Sequence, residues 1–73
     1  MQLLFNQENK MNNKVEAFRT AITILGGRRL AGEALGVTIQ AIGMWWRDGC
    51  PPGRACEISD ATGGRVGIEE LLR

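Results

Sequence analysis

Six side chains in the middle of this chain carry chemistry that a ligand would feel: Arg28, Arg29, Thr38, Gln40, Arg47 and Arg54. An arginine guanidinium stays charged throughout the physiological range and presents a rigid fork of donors suited to phosphate or carboxylate oxygens. A glutamine amide sets a donor beside an acceptor, which matches N6 and N7 of adenine in the DNA major groove. A threonine hydroxyl can cap a helix or meet a phosphate. The chain has no histidine, and no paired carboxylates fall where a cleft is expected, so no general acid–base couple is in view and an enzyme is not expected. Cys50 and Cys56 are not a CxxC pair. Without histidine a tetrahedral metal site lacks ligands, so neither metal nor cofactor is expected. Both thiols are expected reduced, Cys56 as a small hydrophobe in a helix core and Cys50 in a proline-rich turn. An intersubunit disulfide or a regulatory role is the alternative for Cys50.

These residues need elements to place them. Arg28 to Gly49, RRLAGEALGVTIQAIGMWWRDG, has the layout of two short helices around one glycine. The first is expected over Arg28–Leu35, with Leu30, Ala31, Ala34 and Leu35 at helical spacing. Gly36 supplies a residue that turns at positive φ without Cβ strain, and Val37 plugs the corner. Thr38 is placed to cap a second helix running to about Arg47. That helix buries Ile42 and Trp45, with Ala41 beside them. It leaves Thr38, Ile39, Gln40, Gly43, Met44 and Arg47 on one outer face, which fits the width of a major groove.

On either side, Val15, Phe18, Ile22 and Leu25 form an apolar stripe for a helix from about Lys14 to Leu25, with Asn12 and Asn13 as caps. Gly26-Gly27 ends it. Pro51 and Pro52 forbid the reading helix from continuing. A fourth helix is expected from about Pro52 to Thr62, burying Ala55, Cys56, Ile58 and Ser59 or Ala61, and Gly63-Gly64 stops it. Ile68 to Leu72 makes a last short helix. With no sustained period-two alternation, the fold class is all-α: a compact bundle of four to five short helices holding a helix-turn-helix. Residues 1–12 are expected as a flexible or loosely docked leader, in which Leu3, Leu4 and Phe5 could dock on the core or on a second subunit. Residues 13–73 form the domain.

At 73 residues, with 44% apolar and 23% charged residues, the chain is ordinary for one small globular domain. No apolar run approaches the roughly 18 residues of a membrane span. The start has no basic region before its apolar residues, so no signal peptide is expected and the cytoplasm is the default. The net charge of +1 says less than its distribution. Residues 26–56 carry Arg28, Arg29, Arg47 and Arg54 against Glu33 and Asp48, whereas residues 57–73 carry Glu57, Asp60, Glu69 and Glu70 against Arg65 and Arg73. Positive charge therefore gathers on the proposed reading unit and negative charge on the tail.

The pattern from Leu25 to Leu72 resembles the lambda-repressor and Cro-like helix-turn-helix family. In particular it resembles the small Cro-type regulators of phages and prophages, including YdaS-type proteins described as antitoxins. LGGRRLAGEALGVT supplies the stem, and QAIGMWWRDG is similar to Q-x-A-V-S-x-W-x-x-G. PPGRACEISDATGGRVGIEELLR resembles P-x-x-R-x-x-x-I-x-x-A-T-G-G with a closing Leu-Arg. The likeness covers about two thirds of the chain. It implies a four- or five-helix bundle that regulates transcription on operator DNA, commonly as a dimer. Departures are Gly43 where the family has a serine, Gly32 where alanine is usual, and Gly67 where Ser or Thr would cap the last helix. Ile39 and Met44 are apolar where polar readers are common. A small residue at Gly32 suits the crossing of the two motif helices; Gly43 has no packing reason and suits close approach to a phosphate or base.

In this reading Gln40 addresses a base edge, Thr38 a phosphate, Ile39 and Met44 thymine methyls, and Arg47 a phosphate or guanine. Arg28 and Arg29 meet phosphate at a helix N-terminus, and Arg54 either meets a flanking phosphate or pairs with Glu57. Trp45 is expected in the core, and Trp46 against the fourth helix or half exposed. The leading function is a sequence-specific repressor bound as a homodimer to a palindromic operator in double-stranded DNA. The alternative is an interaction module that neutralises a toxin or touches RNA polymerase through Ile39, Met44 and the acidic tail. For the dimer surface the candidates are the leader and the final helix (Ile68, Leu71, Leu72).

Overall fold

The computed structural model describes residues 13–73, which contain five α-helices and, among the described residues, no strand. They are α1 (Asn13–Ile24), α2 (Arg28–Leu35), α3 (Ile39–Asp48), α4 (Ala55–Ala61) and α5 (Ile68–Leu72), with a 3₁₀ turn over Pro52–Arg54 leading into α4. The expected all-α bundle is what the chain forms. Asn12, Leu3, Leu4 and Phe5 lie outside the described residues.

Helix ends follow local chemistry. At the end of α1 the Gly27 N–H donates to the Ile22 carbonyl at 3.0 Å and the Gly26 N–H to the Thr23 carbonyl at 3.1 Å, a Schellman closure that satisfies carbonyls with no helical partner. The same pair of bonds closes α4, from Gly64 to Ser59 and from Gly63 to Asp60, both at 2.9 Å. Pro51, extended at ψ 145°, separates α3 from the 3₁₀ turn.

Five side chains are essentially removed from water and define the core: Phe18 and Ile22 of α1, Ile42 of α3, Ile58 of α4 and Leu71 of α5. Ala21, Ala31, Ala55 and Val66 fill the gaps between them. α1 packs on α3 and α5, α2 on α3 and α4, and α4 on α5. Each helix thus buries one stripe, and the exposed faces of α2 and α3 share an outer surface.

Four expectations about burial are corrected. Cys56 is exposed, and Cys50 is buried within the core cluster. The inward stripe of α4 is Ala55, Ile58, Ser59 and the following Thr62, at i, i+3, i+4 and i+7, and Cys56 sits one residue off it. The turn at Gly49 carries Cys50 back beneath Lys14, and burial pushes its thiol pKa up, against weaker lowering by a backbone hydrogen bond and the Lys14 charge. In α2, Leu30 and Ala34 are exposed while Ala31 is buried and Leu35 partly so, because the inward arc of so short a helix is centred on Ala31 and Gly32. Trp45 is only half-buried, its ring meeting Phe18 edge-on at 6.1 Å between centroids.

Candidate nucleic-acid interface

Helices α2 and α3, joined by the three residues Gly36, Val37 and Thr38, form the helix-turn-helix expected from sequence. Gly36 sits in the left-handed region at φ 70°, and the Val37 N–H donates to the Gly32 carbonyl at 2.9 Å. A Cβ built on Gly32 would lie 2.9 Å from the Val37 carbonyl oxygen. Glycine at position 32 is therefore required by the backbone of the corner itself and not by a side chain of the facing helix.

Thr38 caps α3 as expected: its Oγ1 accepts the Ala41 N–H at 3.1 Å. With α3 fixed, Ile42 points fully inward. The outer face carries Thr38, Ile39, Gln40, Met44 and Arg47, all exposed, with Gly43 partly so. Gln40 and Arg47 are seven residues apart, two turns along one line of the helix, with Gly43 between them. Around Gly43 there is open space, since nothing lies within 4 Å of a Cβ built there. No packing reason explains a glycine at this position. Ile39 and Met44 are 50% and 54% exposed, a high apolar content for a helix face in water.

Each arginine finds a distinct setting. Arg29 is exposed and lines, with Thr38 and Ile39, an open groove of about 520 Å³ between α2 and α3. Arg28 is exposed at the first position of α2, where Gly27 offers no side-chain cap to the free backbone N–H groups. Its guanidinium carbon lies 5.1 Å from the centre of the Trp46 ring. Arg54 is engaged elsewhere: its Nη1 pairs with Glu57 Oε1 at 3.0 Å, and its guanidinium carbon sits 5.8 Å from the Trp45 ring centre. That is the ion pair expected as its second role. Arg47 makes no ion pair among the described residues, Asp48 beside it included.

Trp46 packs against the core cluster, with part of its side chain left exposed. It is half-buried under guanidiniums from two other helices, Arg28 of α2 and Arg19 of α1, the latter 5.3 Å from the ring centre. Arg19 Nε also donates to the Trp46 carbonyl at 2.9 Å. Sequence reasoning missed Arg19. Its position on the flank of the α1 stripe was visible, but its partner is 27 residues away, so only the packing of α1 on α3 reveals it.

A profile of the family described as Bacterial toxin YdaS matches residues 18–73. No curated protein and no solved structure matches. The family's description speaks of a toxin, where the sequence resemblance pointed to antitoxins among YdaS-type proteins. No helix among the described residues is long and apolar enough to cross a membrane. Running from the middle of α1 through the helix-turn-helix to the last residue, the match makes this chain a member of the YdaS family.

Proposed function

We propose that this YdaS-family chain is a sequence-specific DNA-binding regulator of the phage and prophage Cro type, a repressor acting as a homodimer on a palindromic operator. The observation that carries the proposal is the division of α3: Ile42 is wholly buried while Thr38, Ile39, Gln40, Met44 and Arg47 are exposed along the opposite side. A helix held this way by a short corner has the shape a major groove admits. Gln40 is the candidate for an adenine edge, Arg47 for phosphate or guanine, and Arg28 and Arg29 for the flanking backbone. The face is poor in hydrogen-bond donors, so groove shape and phosphate positioning carry more of the recognition than base contacts. Reading helices of a dimer would lie one DNA turn apart, roughly 34 Å. In this reading the chain acts by binding.

Selection of bound fragments from random duplex DNA, followed by gel shifts with Gln40→Ala and Arg28→Ala, tests this. Gln40→Ala should relax preference at one position of the selected site, and Arg28→Ala should weaken all duplexes and lower the salt slope by about one. No enrichment over input, or unchanged affinity and slope in both variants, overturns it.

One observation favours a second reading. The half-exposed Ile39 and Met44 suit an apolar partner surface, and the family's description as a toxin suits a protein that works against another protein. A toxin–antitoxin partner or RNA polymerase would be that partner, and regulation of its own operon is compatible with it. Ile39→Gln with Met44→Gln should abolish such pairing in a pull-down from the native host while leaving nonspecific duplex binding in place.

A further inference from the structure

Trp46 has guanidiniums from two other helices against its ring. The guanidinium carbons of Arg19 and Arg28 lie 5.3 and 5.1 Å from its ring centre, although each would be better hydrated alone. Neither arginine has a carboxylate partner among the described residues, where the ion pairs are Arg54–Glu57 and Arg73–Glu69. An aromatic face attracts each cation through its quadrupole and fixes the plane of each guanidinium. Arg19 has committed only its Nε, to the Trp46 carbonyl, so its Nη hydrogens stay available. Arg28 is exposed and stands at the uncapped start of α2. Trp46 itself lies two turns beyond Ile39, on the same edge of α3, so the cluster borders the exposed face described above.

We propose that Arg19, Trp46 and Arg28 form a preassembled clamp for the phosphodiester backbone, with Trp46 as a positioning residue and Arg19 as a phosphate ligand supplied by α1. The inference rests on the DNA-binding reading and deepens it. Three helices contribute to the cluster, and the rotamer freedom that a lone arginine gives up on binding is already given up against the indole. Because Arg19 also ties α1 to the C-terminal end of α3, the clamp fixes how far the reading helix projects when the backbone is gripped. The favoured ligand is a polyanion and not a carboxylate, because two guanidiniums and the free N–H groups of a helix start together suit a group with several anionic oxygens.

The test is binding of the full chain to a short fluorescein-labelled duplex of mixed sequence across a salt series, with circular dichroism on each variant. Arg19→Gln should lower the salt slope by about one. Trp46→Leu should lower affinity severalfold with a reduced slope, and Trp46→Phe, which keeps an aromatic face, should restore most of both. In a Trp45→Phe background the remaining emission, from Trp46, should shift when duplex is added. An unchanged slope in Arg19→Gln, with helicity intact, overturns the clamp and leaves the DNA reading standing. If Trp46→Leu fails to fold, Arg19→Gln and the emission shift decide alone. A wild-type chain that ignores the duplex at low salt overturns the DNA reading, and the clamp with it.

Discussion

At the scale of single residues, two glycines in the helix-turn-helix have opposite physical reasons. At position 32 a methyl group would press within 2.9 Å of a backbone oxygen, and neither partner can yield without opening the corner. Gly32→Ala should therefore destabilise the fold by about 1–3 kcal/mol, despite alanine's better helix propensity. Position 43 has empty space around it, so Gly43→Ala should stabilise by about 0.5–1 kcal/mol in denaturant melts. If that space receives a phosphate or base, the same variant should bind duplex more weakly. Stability and affinity would then move in opposite directions, which no purely structural role for Gly43 produces.

Among elements, α3 depends on its cap. Thr38→Ala removes the acceptor for the Ala41 N–H and should cost about 1 kcal/mol in thermal or denaturant unfolding. At α5 the capping is half complete: Glu70 Oε1 accepts the Gly67 N–H at 2.9 Å, but glycine has no side chain to return the bond. Gly67→Ser fits, since the residue has φ −78° and a Cβ there meets only Glu70 Oε1 at 3.8 Å. It should gain a few tenths of a kcal/mol. The bounds of α2, the Gly36 turn and the Thr38 cap were legible in the sequence because each is decided within four or five residues. The exchange of roles between Cys50 and Cys56 was not, because it depends on the direction in which the Gly49 turn leaves α3. Arg19 was hidden for a similar reason: its partner, Trp46, belongs to α3. Of the candidate binding residues, the exposed positions on α3 followed from helical period alone, while the contacts Arg54 makes with Glu57 and Trp45 depend on the fold.

For the whole molecule, the buried thiol makes stability depend on pH. The folded Cys50 is a weaker acid than the unfolded one, chiefly through desolvation, so its ionisation favours the unfolded chain. Its contribution is complete below the thiol's unfolded pKa and is lost as pH rises through the folded value. The denaturant midpoint should fall on the alkaline side, and less steeply in Cys50→Ala. A thiol reagent should modify exposed Cys56 rapidly and Cys50 only on unfolding; equal rates in the native protein would contradict this placement. The tight corner at Gly32 and Val37 bears on how such a chain can change over generations. Its elbow angle is set by main-chain atoms in contact, so one substitution cannot re-aim the projecting helix toward a new target. New specificity has to arise by exchanging side chains along that helix, with the hinge inherited unaltered.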